Sequence, residues 1–238
     1  MNTFSLMNRI FTSLLAFLFI FALGTTVASA QDASKAVKNG GVFVKGWTGQ
    51  IDAGEVKSGQ KLEGSSLSEK DGVLQVTTGP SVSYWQTSET ASGSYMVMAT
   101  FTEPKFKNLS GHSHPYGLFI GGNDMGTEKQ SLLYCMAYGN GKFIVRGFSP
   151  EPFKMNGNSA EANDAINSAK EDGDSVSQQI GISVTADKVT CSINGKVVAT
   201  YAKSDVVGEG KLKSTNGAYG IRFGHNVEGT VKGFHSMK

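Results

Sequence analysis

Two histidines, His112 and His114 in the segment GHSHPYG, have the spacing with the most evident chemical potential in this chain. Side chains alternate along an extended segment, so the H-x-H spacing puts both rings on one side. Such a pair can bind a transition metal if a third ligand, such as His225 or Asp124, completes the set. Either histidine could instead act as a general acid or base with a carboxylate such as Asp124. The alternative is a pair of loop histidines beside a proline, with no chemical role.

A Gly-rich loop, GGNDMGTEK at 121–129, carries oxygen-bearing side chains on Asn123, Asp124 and Glu128. Carboxylate and amide oxygens are the ligands that Ca²⁺ prefers. The spacing does not match the EF-hand pattern, so an ordinary turn with solvated carboxylates is the alternative. We therefore expect no cofactor, with calcium at this loop as the one exception beside the metal considered for the histidines.

The chain has two cysteines, Cys135 and Cys191, and both fall in segments that read as strands. A disulfide between them is chemically allowed in an exported protein. Each could instead be a small buried apolar residue. No CxxC or Cys/His spacing indicates a structural zinc site.

Several function classes are excluded by missing patterns. The sequence has no G-x-S-x-G elbow, no P-loop and no dinucleotide-binding fingerprint. The formal net charge is +2, and no cluster of Lys and Arg forms a basic stripe. Nucleic acid is therefore not an expected partner.

Residues 1–30 have the pattern of an export signal. Arg9 precedes the apolar stretch IFTSLLAFLFIFALG, and a small-x-small motif ends at Ala30. A membrane anchor is the alternative, but the apolar run is shorter than the roughly 20 residues that a span requires. We therefore expect a periplasmic or secreted protein that keeps no stable membrane span after cleavage.

The remaining sequence predicts a flexible start at 31–41 and one domain at 42–238. Short alternating runs separated by Gly-rich turns indicate an all-β, two-sheet antiparallel sandwich or jelly roll. Asn140-Gly141 and Asn194-Gly195 are type I′ hairpin signals. A polar insertion at about 150–177 interrupts the pattern, and its segment AEANDAINSAK could form one short helix.

Three stretches carry a pattern of short strands and Gly-containing turns: VTADKVTCSINGKVVATY (184–201), GAYGIRFGHNVEGTVKGFHSM (217–237) and GLFIGGNDMGTEKQSLLYCMAYGNGKFIVRGF (117–148). Together they resemble the concanavalin A-like lectin/glucanase superfamily. Within it, the chain looks closest to laminin-G-like modules and to bacterial secreted domains of unknown function grouped with 3-keto-disaccharide hydrolases. The resemblance implies a jelly roll in which glycans lie on the concave face of one sheet.

Alternation in LLYCMAY puts Tyr134 and Tyr138 on the face opposite Cys135. If Cys135 points inward, the two tyrosines could form a platform for sugar rings, whose C–H faces pack on aromatic groups. Arg146 and Trp85 are candidates for the same platform. The alternatives are that the insertion covers the tyrosines, that Arg146 is only solvated and that Trp85 belongs to the core.

The laminarinase-type glycosidases of this superfamily carry paired carboxylates on one strand, and that strand is absent here. Asp52 and Glu55 have the wrong spacing for one strand face. The first hypothesis is therefore a non-catalytic module that binds a glycan or a cell-envelope component. The second is a carbohydrate-active hydrolase or lyase of the keto-disaccharide hydrolase-like kind with a His/carboxylate site. In both cases we expect the functional residues between Trp85 and Phe148, with 180–238 as the frame.

Overall fold

The structure is a computed structural model that describes residues 33–108 and 112–238. The predicted signal peptide at 1–30 lies outside these residues. Within them, no helix combines the length and the apolar character that a membrane span needs.

Short strands make up most of the described chain, as the alternating pattern predicts. Two α-helices of one turn each, α1 (Ala53–Lys57) and α2 (Lys203–Val206), and a 3-10 turn at Leu62–Gly64 complete the described elements. The strands are β1 (Gly41–Val42), β2 (Trp47–Ile51), β3 (Ser66–Lys70), β4 (Val73–Thr77), β5 (Val82–Ala91), β6 (Tyr95–Glu103), β7 (Tyr116–Asn123), β8 (Ser131–Ala137), β9 (Lys142–Phe148), β10 (Pro152–Lys154), β11 (Glu161–Ala162), β12 (Val176–Val184), β13 (Lys188–Ile193), β14 (Lys196–Ala202), β15 (Gly217–Phe223) and β16 (Glu228–Met237).

The strands form two sheets. Sheet A has the order β1-β3-β4-β16-β6-β12-β13-β14, and sheet B has the order β10-β9-β8-β7-β15-β5-β2, with β11 also paired to β9. Neighbours are antiparallel except for the parallel pair β1 and β3. This confirms the predicted two-sheet antiparallel sandwich. The inward-facing side chains of both sheets form one core, whose largest fully buried members include Tyr84, Phe101, Tyr116, Phe143 and Phe223.

A disulfide joins Cys135 on β8 to Cys191 on β13, with the two Cα atoms 6.3 Å apart. Both cysteines belong to the core, so the bond crosses the interior from sheet B to sheet A. The structure therefore confirms the bridge that the sequence left open. Because Cys135 points inward, Tyr134 on the same strand points outward.

Both Asn-Gly hairpins are present, but only one has the predicted turn. At Asn194-Gly195 both residues have positive φ, 52° and 78°, as a type I′ turn requires. At the other hairpin Gly141 alone has positive φ, and Tyr138 N–H donates to the Lys142 carbonyl across a three-residue loop. A three-residue loop needs a single left-handed residue at its end, so the type I′ prediction is wrong here.

The insertion does not contain the short helix that the sequence suggested. Its residues form β10 and β11, which both pair with β9 and extend sheet B. Asn163 accepts the Ala165 N–H with its side chain, which favours a turn over a helix. Ile166 then enters the main core, so its burial fixes the segment against the sandwich.

The predicted flexible start at 31–41 is described from residue 33. Asn226 accepts the Lys35 N–H and donates to the Ala33 carbonyl. Ser34 donates to Glu55, and Val37 N–H donates to the Gly64 carbonyl. These bonds attach the segment to the sandwich before β1 begins.

Candidate functional site

The outer faces of the two sheets have different compositions. The outer face of sheet A is mostly hydroxyl and amide side chains, with Met96 and Met98 among them. This is the ordinary composition of a sheet face turned to water. Sheet B instead carries a second apolar cluster, separate from the core and with Tyr138 and Phe148 packed against it. We call this surface the aromatic face; its buried members are Trp85, Phe119, Leu132, Tyr134, Met136 and Ile144.

Cross-strand register aligns one row of the aromatic face across five strands. Gly220 on β15 pairs with Trp85 on one side and with Phe119 on the other. Phe119 pairs with Tyr134, which pairs in turn with Arg146. A Cβ on Gly220 would lie 2.5 Å from the Phe119 ring, so the row needs glycine at its centre.

Burial varies along this face. Trp85 and Tyr134 are 6% and 8% exposed, whereas Tyr138, Arg146 and Phe148 are half-buried. Tyr84 is in the core, so its neighbour Trp85 lies on the outer face of sheet B, where it was one candidate for the platform. The rings that remain open to a ligand are therefore those near β9.

A charged pair lies within the aromatic face. Arg222 on β15 donates to both carboxylate oxygens of Asp52, at 2.8 and 2.6 Å, and to the Ser83 hydroxyl at 2.9 Å. Its guanidinium carbon lies 4.6 Å from the centre of the Tyr134 ring and 5.0 Å from that of Phe148. A planar guanidinium group binds carboxylates through paired donors and also stacks on the faces of aromatic rings, so both kinds of contact are favourable.

Electrostatics favour the charged form of this arginine. Burial by itself would lower the pKa of Arg222, but the charge and hydrogen bonds of Asp52 outweigh it and raise that pKa. Burial also raises the pKa of Tyr134, and the Arg222 charge opposes this only in part. The centre of the face is thus a fixed cation beside a neutral phenol.

A second cationic site lies at the edge of the aromatic face. Arg146 on β9 pairs directly with Lys154 on β10. Both bind the same residue, Asn158: Arg146 donates to its main-chain carbonyl and Lys154 to its side-chain oxygen, each at 3.0 Å. The insertion therefore rims this face and orients two cations.

The histidines lie at one end of sheet B. His114 precedes β7 and His225 follows β15, and their ring centres are 4.1 Å apart. Glu55 lies at the same end: its Oε1 is 4.0 Å from His225 Nδ1 and accepts the Ser81 N–H at 3.2 Å. His112 is exposed.

Asp124 lies at the opposite end of β7 from His114. Eight strand residues separate them, which corresponds to about 25 Å at the usual rise. Asp124 therefore cannot complete a site with His114, and this part of the sequence-based expectation is wrong. The structure brings Glu55 to the histidines instead.

The loop suggested for calcium has other contacts. Asp124 forms an ion pair with Lys213, and Glu128 is exposed. The Asn123 amide donates to the carbonyls of Gly121 and Asn216, which fixes the turn. In the described part of the chain, no group of three or more His, Cys, Asp or Glu is placed to hold a metal ion. The calcium site stays a prediction.

Sequence reasoning missed Arg222, Asp52 and Lys154. A signal for Arg222 was present in the sequence. Side chains alternate along β15, and because Tyr219 and Ile221 point into the core, Arg222 lies on the outer face. The sequence assigned 180–238 to the frame, and the structure shows that β15 also contributes Arg222 to the aromatic face. No local signal marks Asp52 as its partner, since 170 residues separate the two.

The fold has clear counterparts among solved structures. A protein of unknown function with a galectin-like fold from Bacillus subtilis superposes with a TM-score of 0.55 and 14% identity, over 86% of this chain and 93% of that one. The carbohydrate-binding module CBM66 from Bacillus subtilis gives 0.53 and 9% identity, over 84% and 99%. The endo-β-1,3-glucanase from Pyrococcus furiosus gives 0.50 and 13% identity, over 80% and 87%.

The chain has the concanavalin A-like lectin/glucanase fold. Comparison with protein-family models gave no match, and comparison with curated proteins gave none either. The fold accommodates both binding modules and hydrolases, so the site must decide between them.

Proposed function

We propose that this protein is an exported, non-catalytic module that binds a glycan or a glycan-bearing cell-envelope component on the aromatic face. The observation that carries the proposal is the contrast between the two outer faces. Sheet A turns mainly polar side chains outward, with Met96, Met98 and the exposed Val197 among them. Sheet B instead carries a cluster of aromatic rings with Arg222 and Asp52 embedded in it, and most of this cluster is buried. Its half-buried edge, with Tyr138, Arg146 and Phe148, is open to a ligand, and aromatic rings beside a few polar groups are typical of a ligand-binding surface.

The chemistry of the face suits sugars. Sugar rings present apolar C–H surfaces that pack on aromatic rings, and their hydroxyls need fixed donors and acceptors. Tyr138 and Phe148 are the half-buried rings that could supply stacking, while Arg146 supplies a planar set of donors. A carbohydrate-binding module and a glucanase share the fold, which supports the assignment.

Export is part of the proposal. A disulfide persists in oxidising compartments such as the periplasm or the extracellular space. N-terminal sequencing of the protein recovered from its native host would test this: a mature chain beginning near Gln31 is expected, and an intact N-terminus would contradict export.

The binding proposal is tested with a glycan array, using the purified protein and two variants, Tyr138→Ala and Phe148→Ala. Each variant removes one half-buried ring and should weaken binding about two- to tenfold, since a lost aromatic contact is worth about 0.5–1.5 kcal/mol. Phe43→Ala is the matched control, because Phe43 is an exposed aromatic residue beside sheet A.

The outcomes separate clearly. Glycan binding that both variants weaken and Phe43→Ala leaves unchanged would support the proposal. Binding that none of the variants changes would place the site elsewhere. An array with no bound glycan would refute a carbohydrate-binding role.

A second candidate, a hydrolase or lyase, is favoured by the cluster of His114, His225 and Glu55 beside the Arg222–Asp52 pair. A carboxylate next to an imidazole can act in acid–base catalysis. The test is release of reducing sugars from the glycans that bind. Turnover that Glu55→Gln abolishes without weakening binding would establish catalysis, and no turnover by the unmodified protein would exclude it for those glycans.

A further inference from the structure

Positive charge predominates on the aromatic face. Strands β7, β8, β9, β10 and β15 form the larger part of sheet B and contain no Asp or Glu. Their only charged residues are Lys142, Arg146, Lys154 and Arg222, all of which alternation places on the outer face. Asp52 compensates Arg222, and Glu161 on β11 pairs with Phe143, which faces the core, so three cations remain on the outer face at this edge.

Among the described residues, Arg146 has no carboxylate partner. Ion pairs of 4.0 Å or less in residues 33–108 and 112–238 involve Lys213, Arg222 and His225, and none involves Arg146. Within the same residues, its one hydrogen bond goes to a neutral carbonyl, and its buried Nε has no hydrogen-bond partner. Partly buried charges are normally paired, so an unpaired guanidinium here is costly without a counter-ion.

Lys154 adds to this cost. It lies directly across from Arg146 on the neighbouring strand, and like charges at opposed positions destabilise a sheet. Asn158 binds both side chains and so keeps the two cations together. An arrangement that holds like charges together around a neutral residue is suited to an anion that binds both.

Aromatic groups surround the same point. Tyr134 on β8 pairs directly with Arg146 on β9. Burial raises the pKa of Tyr138, and the charge of Arg146 opposes this only in part. Phe148 follows two residues later on the same face. A ligand that occupies this edge would therefore meet aromatic rings and two cations at once.

We propose that the ligand is an acidic glycan, in which a carboxylate or sulfate of the sugar binds Arg146 and Lys154 while the sugar ring packs on Tyr138 and Phe148. This inference rests on the proposed function and adds the chemical class of the sugar. Both anionic groups accept the paired donors of a guanidinium, so the chemistry they share is an oxyanion on a sugar.

The experiment measures binding of the purified protein to matched polymers by affinity electrophoresis and calorimetry. Polygalacturonate is paired with its methyl ester, and carrageenan with unsulfated agarose, so that the carboxylate and the sulfate are tested separately. The variants are Arg146→Gln and the exposed-site variant Lys154→Gln. Lys232→Gln is the control, since it removes the same charge from the outer face of sheet A.

We expect one of the acidic polymers to bind at least tenfold more tightly than its neutral counterpart. Arg146→Gln should lower that affinity about tenfold or more, because charge-assisted hydrogen bonds are lost. Lys154→Gln should lower it several-fold, and Lys232→Gln should have little effect. Thermal melting of each variant checks that it is folded, and Lys154→Gln serves as the test if Arg146→Gln is not.

Other results would overturn the inference. Equal binding of charged and neutral polymers would show that no oxyanion is recognised, while leaving glycan binding intact. Affinities of Arg146→Gln and Lys154→Gln equal to that of Lys232→Gln would show that these two cations do not bind the oxyanion. A neutral glycan bound on the array with no binding to either acidic polymer would have the same meaning. Equally tight binding of a single-stranded oligonucleotide would show that the site selects charge and not sugar. An array with no bound glycan would refute the proposed function as well.

Discussion

The carboxyl of Glu103 allows a quantitative test of the core. Glu103 ends β6 and is 5% exposed. Its Oε1 accepts only a long bond from the Lys107 N–H at 3.4 Å, and its Oε2 has no hydrogen-bond partner in the described structure. Burial raises the pKa of Glu103 from 4.5 to about 7, and the Lys107 N–H and charge oppose this only in part.

The sign of the pH effect follows from proton uptake. Below pH 4.5 the Glu103 carboxyl is protonated in both the folded and the unfolded chain. Between pH 4.5 and about 7 the unfolded chain releases the proton and the folded chain keeps it, so the free energy of unfolding falls as pH rises. Above pH 7 both states are ionised and the loss is complete. At about 1.4 kcal/mol for each pH unit, this interval corresponds to about 3 kcal/mol.

The substitution Glu103→Gln isolates this contribution, because glutamine resembles the protonated carboxyl and does not titrate. Urea unfolding of both proteins at pH 4, 5.5, 7 and 8 is the assay. The variant and the unmodified protein should be about equally stable at pH 4, and the variant should be about 3 kcal/mol more stable at pH 8. A difference that does not change with pH would refute the reasoning, and so would a variant that is less stable at pH 8.

Three further substitutions test the frame of the site. Replacing Cys135 and Cys191 by alanine opens a loop of 56 residues and should lower the free energy of unfolding by about 4 kcal/mol in urea titrations; equal stability would contradict the entropic account. Asp52→Ala leaves Arg222 buried without its counter-ion and should cost about 3 kcal/mol, most of which Asp52→Ala/Arg222→Met should restore. Gly220→Ala puts a Cβ 2.2 Å from a main-chain carbonyl of β5 and should cost at least about 2 kcal/mol, with an unchanged melting temperature as the contrary result.

Local patterns predicted the fold well. The Asn194-Gly195 turn and the alternation of Val189, Cys191 and Ile193 gave the β13–β14 hairpin and its inward face. The same reasoning put Tyr134 outward, and register then confirmed Arg146 as its neighbour. These predictions succeeded because hairpin partners are adjacent in sequence, so turn chemistry and a period of two determine which residues meet.

The centre of the site could not be predicted in this way, because it depends on strands that are distant in sequence. β15 lies between β7 and β5, so Gly220 of β15 lies between Phe119 of β7 and Trp85 of β5 in the sheet. No turn specifies that order, and no local pattern connects Arg222 with Asp52. An arginine in an apolar strand nevertheless needs a counter-ion or a ligand, because an unpaired buried charge destabilises the fold. Arg222 forms an ion pair with Asp52, whereas Arg146 on the same face donates only to the Asn158 carbonyl. That difference between two arginines of one sheet is why we place the proposed binding site at the β9–β10 edge and not at the better-buried centre.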